Sequence, residues 1–368
     1  MIPIAVPSAA SILLLLLSFV LGLWLISWLV LLAFSKGSRQ WLMKKPRRNI
    51  GILVALAVLS VPGYSFEYIL IASGRESARR EAALRVTLPQ AQTLGGVEMP
   101  AGTRLELDRE GRLDTFVLAE FDAPVSAYGV QATRIRRTLS SDYDEQFNEI
   151  NRYPGSVTVW GQGAQDVSGW QCDASKKLDF DAQDKGARIG FDKCLLAGGN
   201  RVGDIVLPAG AELHARTDAA YGDTQTEPVR WSVSVDGPEP LAVQGLLLGH
   251  PALHLDAQRR LVRVAYGVLA CPTRLGPMHY PAETEVQMLR YPLSRRMPGA
   301  WVFTPYLGMS APRDDGPAVR AGSSVLQRLD GTVLDVVANE KLMIELYPRL
   351  EVDGVVTPGP VNCPQAAR

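Results

Sequence analysis

The sequence contains few of the residues on which most enzyme active sites depend. It has only four histidines in 368 residues, and it lacks a Gly-x-Ser-x-Gly nucleophile elbow, a P-loop and a dinucleotide-binding fingerprint. No Cys-x-x-Cys pair occurs, and no cysteine has a histidine at zinc-ligand spacing. We therefore predict no catalytic residue, no cofactor and no metal site, and an enzyme is the least supported class of function.

The chain also lacks an excess of charge of either sign. Its 38 basic and 38 acidic residues give a net charge of zero, which excludes a strongly basic nucleic-acid-binding protein. Six basic residues but only one acidic residue fall within the first 74 positions, so the rest of the chain has a net charge of −5. A mildly acidic domain attracts a basic protein partner rather than lipid headgroups or nucleic acid.

Long apolar runs are confined to the N-terminal part. Residues 11–34 include no charged residue, and about 20 apolar residues suffice to cross the hydrocarbon core of a membrane. A cleaved signal peptide is the alternative, but residues 1–10 lack Lys and Arg, and the run exceeds an h-region of about 7–15 residues. A second apolar run covers 50–72. We predict a two-helix membrane anchor over 1–74, followed by a helical stalk over 75–87.

The loop between the two predicted spans carries only positive charges, on Lys36, Arg39, Lys44, Lys45, Arg47 and Arg48. Positively charged loops remain in the cytoplasm. This predicts a bacterial inner-membrane protein with both termini and everything after residue 74 in the periplasm. Small residues at four-residue spacing, Ser18 with Gly22 and Gly51 with Ala55, predict close packing of the two spans, unless these residues simply face lipid.

All four cysteines lie in the predicted exported part, at Cys172, Cys194, Cys271 and Cys363. An even number of cysteines in an oxidising compartment predicts two disulfides, for which three pairings exist. We favour Cys172–Cys194, which share one sequence neighbourhood, and Cys271–Cys363, which would tie down the C-terminal tail. Buried free thiols are the alternative.

From residue 88 onward, short alternating apolar runs between Gly, Pro and Asp predict strands and turns. The segments 96–105 and 203–213 are close copies that share Pro-Ala-Gly, and weaker copies begin at Gly129, Gly169, Gly245, Gly276 and Gly316. The predicted fold class is therefore mainly β, with an extended antiparallel β-repeat domain over 88–368 after the two transmembrane helices. A linker-like segment at 236–240 predicts a division near residue 240. A β-rich domain without a true repeat is the alternative.

The remaining polar clusters are weak candidates for a site. His250 and His254 would share a face of a strand and could form a metal pair, but surface histidines are the preferred interpretation. Four acidic residues do not match the spacing of a calcium loop and are better explained as a solvated turn: Asp179, Asp181, Asp184 and Asp192. Four tryptophans could anchor an interface, but most are expected in the β core: Trp160, Trp170, Trp231 and Trp301.

The two-helix anchor, the cysteine-bearing β domain and the Pro-Ala-Gly copies at 96–105 and 203–213 together resemble a loose group of bacterial repeat proteins. Some of these act as immunity partners of toxins delivered into the periplasm, including type VI secretion effectors such as phospholipases. The resemblance covers about 90–360 and carries over no binding residue. It implies a protein that binds an incoming toxin and occludes its active site. A non-catalytic envelope assembly or structural factor is the alternative.

Overall fold

The computed structural model describes residues 9–216, 219–220, 226–342 and 363, and the chain divides into two compact units at residue 85. The first unit, Met1–Arg85, contains three helices: α1 (Ala9–Phe34), α2 (Lys36–Lys44) and α3 (Pro46–Leu84). Within α1, Leu16–Phe34 is long and apolar enough to cross a membrane, and only 11% of this stretch is buried. An apolar helix that leaves most of its surface uncovered suits a lipid environment.

The second predicted span lies within α3, a single helix of 39 residues. Among the described residues, Leu16–Phe34 is the one helical stretch that meets the length and hydropathy requirements for crossing a membrane. The structure therefore supports one candidate span and leaves the span at 50–72 as a prediction. The predicted helical stalk is confirmed over residues 75–84, which form the end of α3, but it ends earlier than predicted because residues 85–87 form strand β1.

The expected small-residue contact between the two apolar helices is half correct. α1 and α3 pack against each other, and Ser18 and Gly22 of α1 are buried. Gly51 and Ala55 are exposed, and the α3 side chains seen to be buried, among those whose burial is described, are Asn49, Leu56 and Ser60. The spacing of small residues identified the inner face of α1 but not that of α3, where Asn49 and Leu56 are larger than the residues predicted.

The second unit, Val86–Arg368, is built almost entirely from strands, and we refer to it as the head. In chain order its described elements are β1 (Arg85–Thr87), β2 (Gln92–Leu94), β3 (Val97–Met99), β4 (Arg104–Leu107), β5 (Phe116–Ala127), β6 (Val130–Tyr143), β7 (Glu149–Gly161), β8 (Ala164–Val167), β9 (Trp170–Asp173), β10 (Leu178–Gln183), β11 (Arg188–Leu195), β12 (Arg201–Val202), β13 (Ile205–Val206), β14 (Glu212–Ala215), β15 (Ala219–Ala220), β16 (Thr226–Glu227), β17 (Trp231–Ser234), β18 (Leu241–Val243), β19 (Leu246–Leu255), β20 (Leu261–Leu269), β21 (Thr273–Leu275), β22 (Met278–Tyr280), β23 (Glu285–Met288), α4 (Leu293–Arg296), β24 (Ala300–Thr304), β25 (Ser310–Arg313), β26 (Gly316–Arg320), β27 (Ser323–Arg328), β28 (Val333–Ala338) and α5 (Asn339–Leu342).

One antiparallel sheet of sixteen strands runs through the head. Its order is β1-β4-β5-β6-β7-β10-β11-β14-β17-β19-β20-β23-β24-β27-β28, with β18 paired to β19. The order follows the chain, so each strand pairs with the next long strand, and short hairpins interrupt the path between them. The mainly β, antiparallel prediction is confirmed. The linker-like residues 236–240 do not interrupt the sheet, because β17 and β19 pair directly on either side of them.

Most of the glycines that begin the predicted copies occupy hairpin turns, whereas Gly316 is the first residue of strand β26. Gly96, Gly129, Gly169 and Gly245 each take the second central position of a two-residue turn, and both central residues have positive φ. Such turns match the right-handed twist of the paired strands, and glycine adopts their left-handed conformation without steric cost. After Gly129 and Gly245 the chain forms one long strand, so these two copies lack the second turn that the pattern predicted.

The Pro-Ala-Gly turns close each hairpin with the same backbone hydrogen bonds. Leu88 donates its N–H to Thr103 O at 2.9 Å and accepts from Gly102 N–H at 2.8 Å. In the second copy Leu196 makes the equivalent pair with Ala211 and Gly210, both at 2.8 Å. We call this pair of hydrogen bonds between a leucine and a turn the turn clamp. Leu88 and Leu196 are each 1% exposed, so both turn clamps lie within the core.

A third turn clamp occurs where the sequence is less similar. Leu269 donates to Thr284 O at 2.9 Å and accepts from Glu283 N–H at 2.7 Å, and Leu269 is fully buried. The turn is Pro281-Ala-Glu-Thr284, with Glu283 at φ +66° where the other copies place glycine. Thr284 Oγ1 donates to Pro281 O at 2.8 Å, as Thr103 Oγ1 does to Pro100 O at 2.7 Å. The repeat is therefore present in this copy despite the missing glycine.

The hairpins between the long strands are also fastened by side chains. On the β8–β9 hairpin, Gln165 Oε1 accepts from Gln131 N–H at 2.7 Å, and its Nε2 donates to Gln131 O at 3.0 Å. Near the β21–β22 hairpin, the buried Gln327 donates to Leu275 O at 2.9 Å and to Gly331 O at 3.0 Å. The hydrogen bonds of the buried Gln327 fix one arrangement of the chain, because leaving a buried amide unpaired would be costly, and those of the half-buried Gln165 add a second tie.

Replacing Gly161 by Ala should destabilise the head, whereas replacing Gly190 should not. A Cβ at position 161 would lie 2.3 Å from Gln131 O and 2.6 Å from Gln165 Nε2, whereas one at 190 has no atom within 4 Å. Both glycines lie in strands at ordinary φ. Overpacking costs about 1–3 kcal/mol, so we expect Gly161→Ala to lower the melting temperature of the purified full chain and Gly190→Ala to match the wild type. Equal melting of both variants would refute the close approach.

Candidate functional site

The four cysteines form the two disulfides favoured from the sequence. Cys172 on β9 pairs with Cys194 on β11, and Cys271, after β20, pairs with Cys363 near the C-terminus. The first bond joins the β8–β9 hairpin to the large sheet, and both of its cysteines are buried. Disulfides of this kind persist in oxidising compartments, so they fit an exported protein.

The weak metal candidates do not form a site. A register shift between Gly249 and Ala252 separates the two histidines, leaving His250 exposed and His254 only 8% exposed. Within the described residues no group of three or more His, Cys, Asp or Glu side chains is placed to hold a metal ion.

The acidic cluster lies on and beside the β10–β11 hairpin and makes local contacts. Asp179 accepts from Thr158 Oγ1 at 2.8 Å, and Lys193 Nζ lies 4.0 Å from it. Asp184 pairs with Arg188 at 2.7 Å. Burial, and then the nearby charge of Asp181, raises the pKa of Asp192. The solvated-turn interpretation is correct only for Asp184, which is exposed in the turn, because Asp179 and Asp181 lie in β10 and Asp192 lies in β11.

The tryptophans belong to the core rather than to an interface. Trp170, Trp231 and Trp301 are 0%, 6% and 1% exposed, and Trp160 is half-buried. The rings of Trp170 and Trp231 meet edge to face, with centroids 5.9 Å apart. An aromatic anchor for a partner therefore has to be sought elsewhere.

The tip of the β6–β7 hairpin carries exposed aromatic and aliphatic side chains. Between Tyr143 and Ile150, three large apolar side chains are exposed: Tyr143 at 59%, Phe147 at 88% and Ile150 at 66%. No other large apolar side chain among the described residues of the head is as exposed as Phe147. Large apolar residues clustered in one exposed turn are a common mark of an interaction surface. We call residues 143–150 the hairpin tip.

The hairpin tip is ordered by one carboxylate. Asp144 Oδ1 accepts from the backbone N–H groups of Gln146 at 2.9 Å and Asn148 at 2.7 Å, and Oδ2 accepts from Asn148 Nδ2 at 3.0 Å. The backbone closes the same loop, because Asp144 N–H donates to Asn148 O and Phe147 N–H donates to Asp144 O. Aspartate favours such turns because its short side chain bonds to the backbone that follows it.

This hydrogen-bonded loop holds Phe147 in an unfavourable backbone conformation. Its φ is +62°, in the left-handed region that bulky residues rarely adopt and that costs about 1–3 kcal/mol. Glycine would remove that cost, and an exposed ring gains little from burial within the chain. A strained and solvent-exposed aromatic residue is therefore better explained by a contact outside the chain than by stability.

The hairpin tip is also acidic. Residues 142–150 contain four carboxylates and no Lys or Arg. Hydrogen bonds from Asn148, first from its backbone, lower the pKa of Asp144, and a hydrogen bond from Lys185 at 2.6 Å lowers that of Asp142. Desolvation opposes ionisation of Glu149, but hydrogen bonds from Ser141 and Arg152 and the charge of Arg109 outweigh it and lower its pKa. Asp142, Asp144 and Glu149 therefore stay ionised to lower pH than ordinary carboxyl groups, and Asp142 and Glu149 do so in ion pairs with Lys185, Arg109 and Arg152.

Ion pairs at the base of the tip fix the hairpin to the neighbouring loop. Arg152 on β7 lies 2.6 Å from Asp108 and 2.9 Å from Glu149, and Arg109 lies 2.7 Å from Glu149. Exposed ion pairs contribute little singly, but a network of several charges with partly buried partners restrains orientation. The arrangement presents an apolar, acidic turn on a fixed support, which suits binding rather than chemistry.

Comparison with protein-family models, with curated proteins and with solved structures finds no match for this chain. The resemblance to immunity proteins therefore rests on the sequence features alone. The candidate site rests on the geometry of the hairpin tip.

Sequence reasoning missed the hairpin tip. The signal available was Asp144-x-x-x-Asn148 between two alternating runs, with an aromatic residue inside the turn. That pattern predicts a hydrogen-bonded turn, but neither the length of the supporting strands nor the exposure of Phe147 can be read from it.

Asp144→Ala should loosen the hairpin tip, and Glu145→Ala should not. Both variants remove one carboxylate from the turn, but only the first removes acceptors of the Gln146 and Asn148 amides. We expect hydrogen exchange at 146–148 to become on the order of tenfold faster in Asp144→Ala, since a lost hydrogen bond opens the loop. In the wild type this protection should persist above the ordinary aspartate pKa and disappear as the pH falls through the lowered pKa of Asp144. Equal exchange in both variants would contradict this role.

Proposed function

We propose that this protein is a membrane-tethered periplasmic binding protein that acts as an immunity protein against a periplasm-acting antibacterial toxin, such as a type VI secretion effector lipase. In this proposal α1 and the apolar part of α3 cross the bacterial inner membrane, and the head lies in the periplasm. The hairpin tip inserts Phe147 into the toxin and covers its active site.

The observation that carries this proposal is the exposed, strained Phe147 on an ordered acidic turn. An immunity protein needs affinity and a correct location but no reactive groups, and a pre-ordered loop loses little entropy when it binds. The acidic surroundings favour a basic rim on the toxin, which would also accelerate association. One candidate membrane span and two disulfides agree with a tethered, exported protein.

Co-expression tests the proposed function directly. Cells that produce a periplasm-targeted copy of the effector encoded beside this gene should survive only when the full chain is present. Loss of protection would leave the alternative, a non-catalytic envelope assembly factor, which predicts a growth or division defect on deletion without any toxin.

Phe147→Gly should abolish protection without destabilising the head. Glycine relieves the left-handed backbone strain but removes the ring, and truncating an anchor residue at an interface costs about 2 kcal/mol or more, equivalent to roughly 30-fold in affinity. Leu307→Ala, at a position 46% exposed outside the tip, is the matched control and should retain full binding. Binding of the purified toxin and the melting temperature should be measured together. Unchanged toxin binding by Phe147→Gly would remove the hairpin tip from the proposal.

The proposed orientation predicts where reporters and thiol reagents act. A reporter enzyme that is active only in the periplasm should be active when fused after residue 90, and one fused between α1 and α3 should be inactive. The four cysteines should resist maleimide until a reductant is added, since all of them are in disulfides. An inactive reporter after residue 90, or free thiols in the extracted protein, would reverse the orientation.

A further inference from the structure

The short helix α2 has an exposed basic face. Positions 36, 39, 40, 43 and 44 follow the i, i+3, i+4, i+7, i+8 spacing that places side chains on one side of a helix. All five side chains on this side are exposed: Lys36, Arg39, Gln40, Met43 and Lys44. The last four line an open surface depression. We call these five residues the α2 face.

Arg39 fixes the α2 face to the end of α1. Its Nε donates to Leu32 O at 3.0 Å, and its Nη2 donates to Ala33 O. These carbonyls belong to the last turn of α1, where cations are favourable and where the apolar stretch Leu16–Phe34 ends. Two of the five N–H donors of the guanidinium are used in this way. The α2 face is therefore held at the level where α1 would leave the hydrocarbon core.

Among the described residues, no carboxylate forms an ion pair with the cations of this segment. Residues 36–48 hold six cations and no acidic residue, and Lys45, Arg47 and Arg48 are exposed beside the α2 face. This concentration of positive charge favours an anionic partner. Met43 is 82% exposed among the cations, and Phe34 next to α2 is 88% exposed. A dissolved phosphate would leave both apolar side chains in water, whereas a phospholipid covers them with hydrocarbon while its phosphate meets the cations.

We propose that the α2 face binds the headgroup phosphate of an anionic phospholipid of the phosphatidylglycerol type, with Met43 against its acyl region. This inference rests on the membrane anchor of the proposed function but not on toxin binding. Lys36, Arg39 and Lys44 supply the charge, Gln40 supplies a further donor, and the contact of Arg39 with α1 sets their depth.

The test uses the full chain reconstituted in nanodiscs that contain equal amounts of phosphatidylcholine and phosphatidylglycerol. Native mass spectrometry of the released protein counts each retained lipid. We expect preferential retention of phosphatidylglycerol by the wild type. Lys36→Gln/Lys44→Gln should reduce that preference about 30-fold, since each cation near a charged membrane surface contributes about a factor of five. Arg75→Gln/Arg79→Gln removes two exposed charges from the other end of α3 and is the matched control, which should retain the preference.

Two further measurements separate the possible failures. Excess inorganic phosphate should not displace the lipid, and Met43→Ser should weaken lipid retention. At a site for dissolved phosphate, inorganic phosphate would displace the lipid and Met43→Ser would leave lipid retention unchanged. Equal retention of both lipids by the wild type, or equal losses in the two double variants, would overturn the inference. Toxin protection by Lys36→Gln/Lys44→Gln should stay intact, so failed lipid selectivity with intact protection refutes only this inference. A chain absent from the membrane fraction refutes the anchor as well.

Discussion

Backbone pairing between hairpin turns and the strand before them is the constraint on which the head depends. In each turn clamp a buried leucine gives both its N–H and its C=O to the turn, so an excursion of about a dozen residues begins and ends at one point of the sheet. A hairpin of three-residue strands is not stable alone in water. Its stability comes from this closure, together with side-chain ties such as Gln165 and the Cys172–Cys194 bond. The long strands can then pair in chain order without a crossover.

The same arrangement explains why the β6–β7 hairpin differs from the others. Its strands are 14 and 13 residues long and pair with each other over most of their length, so the turn at their end needs no clamp to the sheet. The loop is ordered internally by Asp144 and laterally by Arg152. Strain at Phe147 is tolerated because the flanking ladder fixes both ends of the turn. A surface built in this way can be changed without disturbing the core.

Much of the fold could be predicted from the sequence, because its signals are local. Alternation and turn glycines identified the strands, and the glycines at 96, 129, 169 and 245 occupy positions that demand positive φ. The turn at 281–284 is a weak match to the repeat in sequence because Glu283 stands where the other copies have glycine. Glu283 nevertheless has positive φ, and the surrounding hydrogen bonds impose this conformation. The hairpin tip could not be predicted from the sequence for a similar reason. Exposure of Phe147 depends on where neighbouring strands end, and residue spacing does not record this.

The distribution of charge separates the two surfaces by the partners they can accept. Residues 36–48, which follow α1, hold six cations and no carboxylate. The segment 142–150 itself holds four carboxylates and no cation, and neighbouring elements pair Asp142 with Lys185 and Glu149 with Arg109 and Arg152. Both charged surfaces also carry an exposed apolar side chain, which is Met43 on the basic surface and Phe147 on the acidic one. On this basis, charge favours the anionic lipid proposed for the first surface and the basic protein proposed for the second. The division of charge therefore gives each surface a specificity that apolar burial alone would not provide.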